Sequence, residues 1–178
     1  MVITPKKDGT PRRTIDLSTL TRAGIRETHH TKSAAKIARY VPANKLKTTL
    51  DCVDGYHGVE LAKEDRHKTT FITEWGKYRY KRTAQGYGSS GDGFTMRTHD
   101  ILDDCPDRPD DMDLEKLIDD ILQSCDTIEQ AFFRICNLLS HCNKAGMVFS
   151  PSKFAFAKEE FAGIVISNVG IKPTQKYM

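Results

Sequence analysis

Long hydrophobic runs are missing from this sequence. None of its 178 residues lies in a stretch that approaches the roughly 20 apolar residues of a membrane span, and the amino terminus MVITPKKDG has no apolar signal region. These two absences predict a soluble, intracellular protein with no membrane partner. The hydrophobic content of 38% is enough for one sizeable core, so we expect a single domain.

Cysteine pairs with the C-x-x-C spacing of zinc or redox sites are also lacking. The five cysteines are Cys52, Cys105, Cys125, Cys136 and Cys142. The adjacent residues His29-His30 and His141-Cys142 have no second spaced pair with which to build a tetrahedral zinc site. The pattern predicts free thiols in a reducing compartment.

Charge is distributed unevenly along the chain, although the net charge is only +3. Residues 100–120 contain ten Asp or Glu against Arg108 and Lys116, a balance of −8, so the rest of the chain carries +11. A basic body with one acidic segment is typical of a protein that binds a polyanion and divalent cations. A solvated surface shows similar charge runs, so charge alone does not decide the function.

The amino-terminal half is predicted to form short strands around one helix. Asp8-Gly9 indicates the turn of a β-hairpin, and an Ala-containing stretch near 32–40 indicates a short helix. Strands are expected at 47–53, 68–73 and 77–83. In the last of these, basic residues alternate with tyrosines at the strand period, which predicts a strand with one basic face.

The carboxy-terminal half combines two predicted helices with further short strands. The first helix is expected over 94–104. The second is expected to be capped by Asp126, with Glu129 three residues on as in a capping box, and to end at Gly146. Its predicted core stripe consists of Ile128, Phe132, Ile135, Leu139 and Cys142.

Three aspartates are candidates for a catalytic metal site. Asp51 ends a predicted buried strand, and a hairpin over 114–124 is expected to display Asp119 and Asp120 at its turn. On adjacent strands the three carboxylates can face one point, where their oxygens can hold two Mg²⁺ ions roughly 3.5–4 Å apart. Asp-Asp pairs are also common in surface turns, so the pair alone is a weak signal.

A glycine-rich segment supports a competing function. Gly86, Gly88 and Gly91 match the dinucleotide-binding pattern G-x-G-x-x-G between a strand and a helix. The preceding strand is charged, however, and no second strand–helix–strand unit supports a doubly wound sheet. A dinucleotide-binding oxidoreductase is therefore the remote alternative, and the glycines equally fit a backbone that passes close to a nucleotide and base pair.

The order and spacing of several segments resemble reverse transcriptases of LTR retrotransposons and retroviruses, most closely the Gypsy type. The fingers segment of that family resembles PKKDGTPRRTIDLSTLTR in this chain. Its first palm motif, LDxxxGYHQI, resembles TTLDCVDGYHGVEL, and its YxDD box resembles LIDDIL. The approach to the second palm motif is resembled by KTTFITEWGKYRYKRTAQGYGSSGDGF. The segment that follows the YxDD box is resembled by AGMVFSPSKFAFAKEEFAGIVISNVGIKP. The match covers nearly the whole chain.

The resemblance implies a role for each of these residues. Asp51, Asp119 and Asp120 are the implied metal ligands and catalytic acids, and Lys153 is the implied proton donor to pyrophosphate. The implied nucleotide-binding residues are Lys6, Lys7, Arg12, Tyr56, Gln85 and Gly86. Tyr56 is placed as the steric gate against a 2′-hydroxyl. Ser90 and Leu117 fall at template and primer positions.

Two departures from the family pattern are visible. Gly91-Asp92 stands where the family has Ala-Pro or Ser-Pro, and Leu117 stands where the YxDD box has Tyr. These departures, with the missing thumb, motivate a second interpretation: a decayed or repurposed palm that binds nucleic acid without polymerising.

The implied fold is α+β: a reverse-transcriptase-like palm, with an antiparallel sheet and helices packed on one face, plus a β-rich fingers segment. By position, residues 1–46 are fingers-like, 47–167 form the palm and 168–178 begin the connection to an absent thumb. The implied reaction is RNA-directed DNA polymerisation, in which a primer 3′-hydroxyl on an RNA or DNA template attacks a dNTP. It requires two Mg²⁺ ions, for which Mn²⁺ can substitute.

The resemblance also implies partners and a location. The chain is expected to be part of a retrotransposon pol polyprotein with a thumb, a connection and an RNase H domain. It is expected in the cytoplasm, within a virus-like particle.

Overall fold

The computed structural model describes residues 2–5, 9–26, 28–106, 113–158, 160–161, 164–167 and 170–173. The chain divides into two compact units, one formed by 1–29 and 54–97 and the other by 30–53 and 98–178. The units are interleaved in sequence, whereas the predicted fingers, palm and connection segments are contiguous. Those predicted boundaries stay a prediction.

Short strands alternate with helices along the described part of the chain. The strands are β1 (Val2–Pro5), β2 (Pro11–Thr14), β3 (Leu46–Asp51), β4 (Phe71–Thr73), β5 (Gly76–Tyr78), β6 (Leu114–Leu117), β7 (Asp120–Cys125), β8 (Ala155–Lys158), β9 (Glu160–Phe161), β10 (Ile164–Ser167) and β11 (Gly170–Pro173). The helices are α1 (Ser18–Ala23), α2 (Ala34–Tyr40), α3 (Ser90–Asp103) and α4 (Ile128–Lys144). Short 3₁₀ turns lie at Gly55–Gly58, Arg66–Thr69 and Pro151–Lys153.

All strand pairs between these described residues are antiparallel. A doubly wound dinucleotide-binding fold needs a mostly parallel sheet, so this part of the chain does not form one. The β1–β2 hairpin confirms the hairpin predicted around Asp8-Gly9, although Asp8 itself lies outside the described residues. None of the described helices is long and apolar enough to cross a membrane.

The second unit is built on a four-stranded sheet in the order β6-β7-β3-β8. Ile121 and Leu122, which are consecutive in β7, are both fully buried. Since consecutive strand residues point to opposite faces, β7 is covered on both sides. Helix α2 covers the face on which Leu122 lies, and its Ile37 and Val41 form a core cluster with Leu122 and Ile166. Helix α4 also packs against β3 and β7.

Helix α4 begins at a different cap from the one predicted. Its N-cap is Thr127, whose Oγ1 accepts a hydrogen bond from the backbone N of Gln130 at 3.2 Å. The prediction that Asp126 caps the helix is wrong, because Thr127 supplies an equivalent oxygen one residue later and completes the capping-box pattern T-x-x-Q. The predicted end is confirmed: Gly146 follows the helix with a φ of +77°.

The buried stripe of α4 also differs from the prediction. Ile128 and Phe132 are 58% and 56% exposed, so neither belongs to the core. The buried residues of the helix are Ala131, Ile135, Leu138 and Cys142. The predicted Ile135 and Cys142 are therefore confirmed, but the buried side of the helix is turned toward Ala131 and Leu138 and away from the larger side chains of Ile128 and Phe132.

Several other elements are shorter or longer than predicted. β4 begins only at Phe71, because Arg66–Thr69 form a 3₁₀ turn in which Thr69 Oγ1 donates to Arg66 O at 2.8 Å. β5 ends at Tyr78 rather than at Thr83. Helix α3 begins at Ser90 instead of Phe94. All five cysteines are free, as predicted.

Candidate active site

The central sheet brings Asp51 next to Asp119 and Asp120. β3 pairs with β7 so that Asp51 lies opposite Asp120, and Cys52 N donates to Asp119 O at 2.8 Å. β6 and β7 are joined by the two-residue turn of Ile118 and Asp119. The predicted hairpin therefore exists, with Asp119 in its turn and Asp120 as the first residue of β7.

Burial and mutual repulsion act on the two adjacent acids. Burial, and then the negative charge of Asp51, raises the pKa of Asp119. Burial, followed by the charges of Asp51 and Asp119, raises the pKa of Asp120 to about 6. Oδ1 of Asp119 is buried and accepts no hydrogen bond from any residue that the structure describes. A buried anionic oxygen without a donor is a position at which a cation is favourable.

Lys153 partly neutralises this cluster. Its Nζ donates to Asp51 Oδ2 at 2.7 Å, and this hydrogen bond raises the pKa of Lys153. The residue ends the 3₁₀ turn Pro151–Lys153, which is held next to β3 because Ser150 N donates to Asp51 O at 2.9 Å. The structure thus brings all four predicted catalytic residues together.

The three carboxylates supply the ligand chemistry of a divalent cation, because carboxylate oxygens are preferred ligands of Mg²⁺. The unpaired Oδ1 of Asp119 is consistent with such a ligand. However, no group of three or more His, Cys, Asp or Glu in the described ranges is arranged as a ready metal centre. A cation would also compete with Lys153 for the carboxylate of Asp51.

The turn that presents Asp119 is strained. Ile118 has a φ of +53°, in the left-handed region that β-branched residues avoid. The Ile118 side chain is exposed, so core packing does not hold it there. Backbone strain of this kind is characteristic of functional sites.

We expect an Ile118→Asn variant to raise the free energy of unfolding by about 1 kcal/mol, because asparagine tolerates the left-handed region better than isoleucine. Urea denaturation in metal-free buffer measures the change. Ile128→Asn is the matched control, since Ile128 is also exposed but occupies helical backbone. Its stability should fall slightly. Equal losses for both variants would show that Ile118 is not strained.

The structure does not describe the side chains of the three predicted phosphate-binding residues. Lys6 and Lys7 lie outside the described residues, and Arg12 belongs to β2 without a described side chain. Tyr56 lies in the first unit, in the 3₁₀ turn Gly55–Gly58, where its half-buried ring packs on Phe94 with centroids 5.9 Å apart. Their roles stay predictions.

The predicted template and primer residues, Ser90 and Leu117, make contacts within the protein. Ser90 is buried and its Oγ donates to Ala84 O at 2.7 Å, so a direct template contact would require this side chain to leave its position. Leu117 packs against the core of α2 and β7, which explains an apolar residue there. Gln85 is half-buried beside the exposed Gly86.

The glycine-rich segment is explained by packing within the first unit. Gly86 has a φ of +103°, and a Cβ there would lie 2.6 Å from Ile15 O. A Cβ at Gly88 would lie 2.5 Å from Thr21 Cγ2. Close passage of two chain segments therefore explains Gly86 and Gly88, whereas a Cβ at Gly91 would make only an ordinary contact of 3.9 Å with the Tyr56 ring.

The sequence did not reveal the role of Asp92. Its Oδ2 accepts from Arg26 Nε at 2.9 Å and its Oδ1 accepts from His29 N at 3.2 Å, and these hydrogen bonds lower the pKa of Asp92. The carboxylate lies in the first turn of α3, where negative charge complements the helix dipole. An acidic residue in the first turn of a helix can be recognised in a sequence, but the predicted helix began at Phe94, two residues after Asp92.

Comparison with known proteins identifies the family of this site. Residues 5–166 match the family model described as "Reverse transcriptase (RNA-dependent DNA polymerase)". The chain belongs to the reverse transcriptase family. Its members generally use divalent metal ions. The family that the sequence motifs predicted is thereby confirmed.

Curated relatives of this chain are polyproteins. It is 28% identical over 164 residues to the "Retrovirus-related Pol polyprotein from transposon gypsy" of Drosophila melanogaster, covering 89% of the chain and 15% of that protein. It is 27% identical over 168 residues to the "Pro-Pol polyprotein" of simian foamy virus type 1, covering 93% of the chain and 14% of that protein. The gypsy relative supports the predicted Gypsy type.

Solved structures show the same fold. The foamy viral protease-reverse transcriptase in complex with double-stranded DNA matches with a TM-score of 0.86 at 22% identity, over 98% of this chain and 30% of that one. A foamy viral protease-reverse transcriptase in complex with an RNA/DNA hybrid matches with a TM-score of 0.84 at 22% identity, over 98% of this chain and 23% of that one. The predicted α+β reverse-transcriptase fold is therefore confirmed.

Proposed function

We propose that this chain is the fingers and palm part of a retroelement reverse transcriptase, an RNA-directed DNA polymerase that extends a primer along an RNA or DNA template. One observation carries the proposal: within a reverse transcriptase fold, Asp51 lies opposite Asp120 and next to Asp119. The buried Oδ1 of Asp119, which accepts no hydrogen bond from a described residue, makes a cation favourable there.

The reaction forms a bond between the primer 3′-oxygen and the α-phosphorus of a dNTP and breaks the bond to pyrophosphate. Two Mg²⁺ or Mn²⁺ ions, when bound, lower the pKa of the 3′-hydroxyl and neutralise the phosphates. Asp51, Asp119 and Asp120 are proposed to hold them. The arrangement contributes mainly positioning and charge neutralisation.

Lys153 is proposed to carry the proton that pyrophosphate takes up on leaving. Its Nζ, which carries protons, is held at the Asp51 carboxylate at 2.7 Å. Lys6, Lys7 and Arg12 are proposed to bind the triphosphate through charge and hydrogen bonds. Tyr56 is proposed to contact the sugar, a role that its packing on Phe94 supports by holding the ring in place.

The other domains with which the chain works are also proposed from its relatives. The chain spans 15% and 14% of the length of the two curated relatives. We therefore propose that it works with the thumb, connection and RNase H parts of a pol polyprotein, in a cytoplasmic virus-like particle. Gln85 and Gly86 are proposed to contact the nascent base pair.

A second candidate is a palm that binds nucleic acid without polymerising. Two observations favour it: the described carboxylates do not form a ready metal centre, and Lys153 already occupies one Asp51 oxygen. This candidate binds a template–primer but adds no nucleotide.

Primer extension on a homopolymeric RNA template with Mg²⁺ or Mn²⁺ tests the proposal. The parent should incorporate dNTPs, and an Asp119→Asn, Asp120→Asn double variant should not. Asp103→Asn, Asp104→Asn is the matched control, because it changes another adjacent pair of aspartates, both exposed at the end of α3. Incorporation that persists in the first variant overturns the proposal, whereas template–primer binding without incorporation by the parent favours the second candidate.

A further inference from the structure

The β4–β5 hairpin of the first unit exposes several large apolar side chains. Trp75 in its turn is 76% exposed, Ile72 is 71% exposed and Tyr78 is 48% exposed. The turn is held locally, since Thr73 Oγ1 accepts from Trp75 N and donates to Gly76 O, both at 3.2 Å. Because Tyr78 pairs with Phe71 and Ile72 pairs with Lys77, Tyr78 lies on the same face of the hairpin as Phe71, and Ile72 lies on the other face.

A groove of about 350 Å³ lies against this hairpin. Four of its lining residues form a row of rings, Tyr78, Phe71, Tyr80 and His57. The successive centroid distances are 5.9, 5.8 and 6.1 Å. The last pair is stacked, with an interplanar angle of 8°.

The remaining lining residues of the groove are Arg79, Lys81 and Arg82. Arg79 and Lys81 are exposed and form no ion pair with any described residue. Arg82 pairs with Glu60 at 3.3 Å, but both side chains are exposed, and such pairs contribute little. Within the described ranges no acidic residue lines the groove, which we call the aromatic–basic groove.

We propose that the aromatic–basic groove and the adjoining hairpin bind single-stranded nucleic acid. Cationic side chains attract the phosphates, and the exposed rings of Trp75 and Tyr78 can stack on unpaired bases, which a duplex does not offer. Phe71 and Tyr80 also pack against the core cluster of Ile15, Leu17 and Ala84, but an acidic protein segment would leave the exposed rings of Trp75 and Tyr78 without a role. None of these residues is among the proposed catalytic residues, so the inference goes beyond the proposed polymerase function.

The test uses the fluorescence of Trp75, the single tryptophan of the chain. The full chain is titrated with an oligothymidylate of about 20 nucleotides in EDTA and without dNTPs. We expect quenching that weakens with salt. Arg79→Ala, Lys81→Ala should weaken binding at least about tenfold and lower the slope of log K against log salt by roughly 0.7 for each phosphate that the variant no longer neutralises.

Two further variants separate charge from stacking. Tyr78→Leu keeps an apolar side chain beside Phe71 and should weaken binding about five- to hundredfold with the salt slope unchanged. Lys36→Ala, Arg39→Ala removes the same charge from exposed positions of α2 and should bind as the parent does. Circular dichroism and melting temperatures check that each variant is folded.

The proposal is overturned if the Arg79, Lys81 variant binds as tightly as the parent. It is also overturned if polyglutamate of matched charge displaces the oligonucleotide, which indicates a surface for acidic protein segments. Because the readout needs neither metal nor dNTPs, a failure of primer extension leaves this result unaffected.

Discussion

Replacing Asp51 with asparagine is expected to lower the rate of primer extension by at least about a thousandfold. Asparagine keeps the shape of the side chain opposite Asp120 but removes the charge that would hold a metal ion. Metal ions stabilise transition-state charge by several kcal/mol, and each ~1.4 kcal/mol corresponds to a factor of ten. Single-nucleotide incorporation at saturating dNTP measures the change.

Asp54→Asn is the matched control for this prediction. Asp54 belongs to the same sequence motif and is exposed, with a φ of +49° that asparagine also tolerates. Its extension rate should equal that of the parent. A similar loss in both variants would indicate general damage instead of a metal ligand. Melting temperatures with and without Mg²⁺ add an independent readout, since a bound ion stabilises the parent and should not stabilise the Asp51 variant.

Replacing Gly86 with alanine is expected to lower the free energy of unfolding by about 3 kcal/mol. The φ of +103° is unfavourable for any residue with a side chain, and the added Cβ would lie 2.6 Å from Ile15 O. Ile15 belongs to a core cluster with Leu17 and Ala84, so its backbone cannot move away freely. Urea denaturation followed by circular dichroism measures the change.

Gly93→Ala is the control for Gly86→Ala. Gly93 lies in α3, and a Cβ there would have no neighbour within 4 Å. Because alanine favours the helix over glycine, this variant should gain about 0.5–1 kcal/mol. If both variants lose stability equally, the close approach to Ile15 is not the cause.

Each part of the acidic cluster could be predicted because it is presented by local structure, whereas the pairing of β3 with β7 that joins the parts is non-local and was implied by the family resemblance. Asp51 ends a short buried strand, and Asp119 follows from a hairpin whose two strands flank a tight turn. Strand alternation and turn signals are short-range properties, so they are visible in a single sequence. The end of α4 was predictable for the same reason, since Gly146 adopts the left-handed conformation that terminates helices.

Features that depend on distant partners could not be predicted. The choice between the two apolar stripes of α4 depends on which side meets β3 and β7, and the sequence of the helix does not contain that information. Asp92 is bound by Arg26, and Ser90 by the carbonyl of Ala84, through contacts that only the folded chain creates. Family motifs place Ser90 correctly along the chain but do not show that its hydroxyl is already used.

The order of strands in the central sheet has a consequence for synthesis and folding. β3 is flanked by β7 and β8, and both neighbours come later in the chain. When β3 leaves the ribosome, both of its edges lack partners until residues beyond Asp120 have been made. Such non-local pairing slows folding and leaves strand edges open to aggregation. We therefore expect nascent chains that stop before β7 to depend on chaperones, although they already contain Asp51.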